Sequence, residues 1–251
     1  MERQRWASFV FICALLISLQ KSTFDRPTPE PLYSSALGEH KGFMLADGSD
    51  LKLNTSTLAK VEINARSRAM TIQHGEALLN IPGDPRSFVI HLAATDFETT
   101  EAVQAHVRLD PDGATQVDVL NGEGWVRAAP SAGRSFKPLL VRAGSSFSLR
   151  YDVRIVEQFD PAEMARRLAW TQGKVILAGE TLRDAVAEFN RYNRRQLLIG
   201  DDSIANLHTG GTFYVTELDT FILSLHQLFG IRAMRTRPDA VILVGDSYSG
   251  L

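Results

Sequence analysis

From Tyr33 to about Val156, apolar residues recur at every second position and are broken often by turn chemistry. Leu51/Leu53, Val61/Ile63, Met70/Ile72, Leu79/Ile81, Phe88/Ile90/Leu92 and Val103/Ala105/Val107/Leu109 each read as one face of a strand. Asp47-Gly48-Ser49, Asp110-Pro-Asp-Gly113 and Asn121-Gly122 supply the turns. Helical periodicity over a dozen residues is absent from this stretch. Many short strands at close spacing predict an antiparallel body, built as a sandwich, a barrel or stacked hairpins.

Near Asp160 the period changes. Asp160-Pro161-Ala-Glu163 combines an acidic N-cap with Pro at the first helical position, so a helix is expected to run to about Trp170 and stop near Gly173. Lys174–Ala178 then reads as a short strand, and Thr181-Leu-Arg-Asp184 as a capping box. Behind that box Leu182, Val186 and Phe189 fall on one helical face. Gln196–Ile199 is a second strand and Thr212–Val215 a third. Thr216-Glu-Leu-Asp219 repeats the capping box ahead of Leu218, Phe221, Ile222, Leu225, Leu228 and Phe229, and Ala240–Val244 closes the unit. The expected order is β-α-β-β-α-β, one face of each helix covering a small sheet.

The N-terminus adds a compartment. Trp6–Leu19 is fourteen residues without a charge, between Met1–Arg5 and Lys21. As a helix it would span about 21 Å, short of the ~30 Å hydrocarbon core. A secretory signal, a short membrane anchor and a buried core helix all fit that length, and export or anchoring is the expectation. Prolines 27, 29 and 31 make the next stretch an extended tether. The resulting division is 1–21 signal or anchor, 22–32 linker, 33–156 β-rich domain, 157–172 connecting helix, 173–245 α+β module and 246–251 tail.

Composition excludes several classes. A net charge of −2 without a dense basic run argues against a nucleic-acid binder working by bulk charge. A single cysteine, Cys13, excludes an internal disulfide framework and any Cys-cluster metal site. The six histidines make no H-x-H, HExxH or i,i+4 pair, so each is expected at a surface or strand edge, not on a metal. Asp110-Pro-Asp-Gly113 starts like a calcium loop, but Asn121 stands where such a loop needs Glu, and a plain turn is expected. Nucleophile elbow, dinucleotide loop and phosphate loop are all missing, so no catalytic residue and no cofactor are expected and the reading is non-enzymatic. Asn190-Arg-Tyr-Asn-Arg-Arg195, the densest basic patch, is read as charge complementing a helix C-terminus.

These motifs, in order, resemble the extracytoplasmic part of FecR-type anti-sigma regulators. Gly38-Glu39 with Leu45-Ala-Asp-Gly-Ser49 and Leu53-Asn54 resembles the family's opening signature, and Gly75-Glu76-Ala77 with Pro85-Arg86-Ser-Phe88-Val89 its next hairpin. Val119-Leu-Asn-Gly122-Glu-Gly124-Trp-Val126 and Leu140-Val-Arg-Ala143-Gly144 resemble later turns. Trp170-Thr-Gln-Gly173 and Arg191-Tyr192-Asn193 resemble a terminal W-x-x-G…RYN segment, and the last seventy-odd residues the short N-terminal module (STN) of secretins and TonB-dependent receptors. The implied fold is mainly β with α+β: an antiparallel FecR-like domain, then the STN-like module.

The implied role is a periplasmic relay, tethered to the inner membrane by residues 6–19, from a TonB-dependent outer-membrane receptor toward an ECF sigma factor. Iron or siderophore signalling is the type, and a non-regulatory scaffold of the same modules is the alternative. Only Met1–Arg5 precede the apolar stretch, where anti-sigma members carry a cytoplasmic domain, so sigma-factor contact is expected indirectly or through a separate chain. Some members cleave themselves at a Gly-Thr; Phe97–Gln104 has none, and cleavage there is not expected. The partner surface is expected at an exposed strand edge on Thr212, Phe213, Tyr214 and Val215, a stretch that reads equally as an internal strand.

Overall fold

The computed structural model describes residues 31–133 and 135–246, and the described chain from Leu32 onward forms one compact unit. The expectations for residues 1–21, for 22–30 and for the last five residues of the tail lie outside the described residues. Among those described, no helix is long and apolar enough to cross a membrane.

The body opens with β1 (Leu32–Ser34), β2 (Lys41–Met44), β3 (Asp50–Leu53), β4 (Leu58–Ile63) and β5 (Arg68–Ile81). It continues through β6 (Phe88–Leu92), β7 (Thr95–Thr99), β8 (Val103–Leu109), β9 (Thr115–Asn121) and β10 (Glu123–Ala128). β11 (Leu139–Arg142), β12 (Ser145–Arg150) and β13 (Val153–Gln158) complete it. The fourteen-residue β5 belongs to two layers. Its first half pairs with β4 and β6, and its second half, from Gly75, with β3 and β8. At the crossing Gly75 has φ +102°, and a Cβ there would sit 2.6 Å from the Thr57 Cα, so only glycine fits.

The alternating residues point inward from both layers. Met70, Ile72, Phe88, Ile90 and Phe97 from one meet Leu51, Leu79, Val107, Val117 and Phe147 from the other in one buried cluster. That is the physical content of the period-two pattern, and the antiparallel strand-rich body is as expected. The turn Asp47-Gly48-Ser49 has a further use. Asp47 pairs at 2.8 Å with Arg68, a fully buried side chain that also donates to the Pro82 and Arg86 carbonyls.

Past the body, α1 (Pro161–Arg167) is capped by the Asp160 carboxylate accepting from Glu163 N, and a 3-10 turn carries the chain to Gly173 in the left-handed conformation. The module comprises β14 (Lys174–Thr181), α2 (Leu182–Asn190), β15 (Gln196–Ile199), β16 (His208–Tyr214), α3 (Leu218–Phe229), β17 (Arg232–Arg237) and β18 (Ala240–Val244). β14 pairs with β16, and β15 runs parallel to β18, which pairs antiparallel with β17. Leu182, Val186 and Phe189 are buried as the helical spacing requires.

Two readings are corrected. The order gains a strand, β17, whose arginine-rich sequence carries no apolar alternation because its described side chains are all exposed. The second capping box is not formed: α3 starts from Glu217 without a side-chain cap, and Asp219 instead pairs with Arg195 and Arg235.

Candidate functional site: a buried charge chain between body and module

The outward face of β5, β8 and β9 should be wet by the pleat, yet Glu76, Leu78, His106 and Asp118 on it are buried. The module covers them. Leu78 and, partly, Leu120 pack into the module's core with Trp170, Leu177, Leu182 and Phe189. Polar groups buried this way must be paired, and here they are paired into one chain.

His106 lies at its centre, with Nε2 2.8 Å from Glu76 Oε1 and Nδ1 2.8 Å from Asp118 Oδ2. Glu76 Oε2 accepts from the Arg191 guanidinium, just past α2, and from Asn54 Nδ2 at 2.9 Å. Asp118 Oδ1 accepts from Arg167 Nη1, on α1, at 2.8 Å, and Gln116 Nε2 lies 3.0 Å from both its oxygens. The order Arg191–Glu76–His106–Asp118–Arg167 therefore runs from the module through three body strands to the connecting helix. At its outer ends Arg191 meets Glu188 at 2.8 Å, and Arg167 meets Glu163.

Electrostatics keep the chain ionised. Burial alone would push the imidazole down, but hydrogen bonds to Asp118 and Glu76, and their charges, raise His106 to about 9. Burial pushes Glu76 up, and the Arg191 charge and His106 outweigh it, holding the carboxyl well below its usual range. Asp118 is lowered against burial by His106 and Arg167. Burial, with the Glu188 and Glu76 charges, pushes the Tyr192 hydroxyl far up, so it stays neutral. With both ring nitrogens donating to carboxylates, His106 has no lone pair for a metal. Among the described residues no group of three or more potential ligands is placed to hold one.

A second seam runs alongside. Asn54 Nδ2 donates to Tyr192 Oη at 2.8 Å. Thr55 Oγ1 accepts from Gly38 N at 2.8 Å and donates to the Arg191 carbonyl at 3.0 Å. Gly38 has φ +76°, and a Cβ on it would stand 2.9 Å from the Tyr192 carbonyl oxygen, so the backbones meet where a side chain would intrude. Next to the charge chain, Arg108, Arg166, Lys174 and Glu180 help line a cleft of about 330 Å³. Trp170 borders it, its indole Nε1 buried with no acceptor on the protein.

The sequence-predicted partner residues divide. Thr212 is exposed and Tyr214 half exposed, with Lys174 Nζ 5.8 Å from its ring centroid. Phe213 belongs to an aromatic triad, 5.3 Å from Phe221 and 5.9 Å from Phe189, and Val215 is buried. β16 pairs only with β14 among the described strands, leaving one edge open. None of these four residues joins the charge chain.

His106 and Arg191 correct the reading from sequence. The histidine is neither at a surface nor at an edge, and the basic patch places one arginine on a buried carboxylate. The available signal was the run Ala77-Leu78-Leu79, whose consecutive apolar residues mark a strand buried on both faces.

Residues 32–123 match the family described as FecR protein. This part of the chain is a FecR domain. Asn54, Glu76, His106 and Asp118 lie within the FecR domain, and Arg167, Arg191 and Tyr192 beyond it, so the charge chain joins the domain to the connecting helix and the module. No curated protein matches the chain. Two crystal structures of a candidate anti-sigma factor from Parabacteroides distasonis, at 1.65 and 2.50 Å resolution, are similar to it. They superpose with TM-scores of 0.70 and 0.69 at 18% identity, covering 86% of this chain and 100% and 99% of theirs. The likeness extends past the FecR domain into the module and establishes a shared fold.

Proposed function

We propose that the protein is an extracytoplasmic FecR-like regulator that relays the state of a TonB-dependent outer-membrane receptor toward an ECF sigma factor. The observation that carries this reading is a FecR domain followed, in one compact unit, by a small β/α module. In this reading residues 6–19 tether the chain at the inner membrane and its folded part lies in the periplasm. The module takes the receptor's periplasmic signalling domain on the open edge of β16. There main-chain groups give affinity and the outward Thr212 and Tyr214 give selectivity, while Phe213 and Val215 hold the strand in place.

The test uses the full chain as bait on envelope extract, with captured proteins identified by mass spectrometry. Recovery of a TonB-dependent receptor that is lost with Thr212→Arg/Tyr214→Asp supports the reading. Recovery of cell-wall or other envelope proteins without a receptor overturns it, and a receptor bound equally by the double variant overturns the assignment to β16.

A further inference from the structure

Four observations at the junction of body and module point the same way. Two buried carboxylates of the body are gripped, Glu76 by Arg191 past α2 and Asp118 by Arg167 on α1, and Arg108 of β8 meets Glu188 of α2 at 3.7 Å. The two grips are not independent, because His106 bridges both carboxylates at 2.8 Å. The body contributes Leu78 and part of Leu120 to the apolar side of the joint, beside these ionic grips. Finally, Trp170, in the segment between α1 and β14, is buried in the cluster that takes in Leu78, with no acceptor on the protein for its indole Nε1.

We propose that the chain Arg191–Glu76–His106–Asp118–Arg167 is a release latch, which holds the module on the outer face of the FecR domain and lets go as one unit. Charge explains the unity. On the body, Glu76, His106 and Asp118 carry one net negative charge; the two arginines turn it into one net positive charge, and Glu188 and Glu163 leave the line one net negative, with Arg108 3.7 Å from Glu188 to balance it. Removing one arginine unbalances the whole line, since the bridging imidazole is drawn to the carboxylate left bare and its bond to the other weakens. Because the ion pairs are coupled through one imidazole, they give a partner a single element to bias between held and released. The latch does not depend on any partner; that its release serves receptor engagement rests on the function proposed above.

Hydrogen exchange of the full chain, followed by mass spectrometry, tests the latch without a partner. Arg167→Met and Arg191→Met are each expected to speed exchange at least tenfold across α1, β14 and α2 together, including around the arginine left intact. The double variant adds little further, and β4 and β6 keep their protection. With Trp6→Phe and Trp125→Phe, Trp170 is the only tryptophan left of three, and its emission shifts to the red in the same variants. Exchange that rises only around each substituted residue overturns the latch, as does equal loss of protection in module and body. Should the Met variants fail to fold, Arg167→Lys and Arg191→Lys give the same readout: shared, smaller increases support a single unit, and separate local ones refute it.

Discussion

Titrating His106 separates the charge chain from ordinary packing. The imidazole stands at about 9 in the folded protein against 6.5 for an unperturbed histidine. At about 1.4 kcal/mol per pH unit, that interval corresponds to about 3 kcal/mol contributed by the charged form. Because the folded value is the raised one, the contribution is complete below pH 6.5 and is lost as pH rises through 9. Glu76 and Asp118 act oppositely: their folded values are depressed, so their contribution is present above the ordinary carboxylate range and fades as pH falls beneath it. Stability is therefore expected to be flat from about pH 5 to 6.5 and to fall toward 9.5. Urea unfolding of the wild type and of His106→Gln, at matched pH between 6 and 9.5, isolates the histidine, since other groups titrating there are common to both. The wild type is expected to lose about 3 kcal/mol more than the variant across that range. Parallel curves would refute the reasoning, as would an NMR titration placing the His106 imidazole at or below pH 7.

Packing and local geometry set three further outcomes. Phe189→Ala removes the ring that stacks on Phe221 at 4.2 Å and is expected to cost about 3–5 kcal/mol in chemical unfolding. Gly75→Ala forces a Cβ against Thr57 at φ +102°, where β5 changes layers, and should lower stability by about 2 kcal/mol or more; a thermal midpoint equal to the wild type's would show that the crossing relaxes. Asp160→Ala deletes the carboxylate that accepts from Glu163 N at the start of α1 and should cost about 1 kcal/mol, read from the urea midpoint.

Much of the fold was legible because its causes are local. Leu51/Leu53 and Val103–Leu109 alternate because one face of each strand meets the core, and Asp160 and Thr181 start helices through bonds to residues three positions on. β17 escaped because described side chains on both of its faces are exposed and leave no apolar trace. The capping box at Thr216 failed because Asp219 found arginines from elsewhere in the fold.

The amino-acid sequence by itself determined the alternation that builds the body, the helical faces and caps of the module, and the motifs Gly38-Glu39, Leu53-Asn54, Gly75-Glu76-Ala77 and Arg191-Tyr192-Asn193. Only the tertiary structure decided that these motifs meet. Arg191 and Glu76 stand 115 residues apart, and Arg167 and Asp118 stand 49 apart. A charged residue on the outward face of a strand has the same periodicity whether water or a second layer lies above it. Docking of the module onto β5, β8 and β9 excludes that water, and so turns Glu76, His106 and Asp118 from a polar surface into a buried chain of ion pairs.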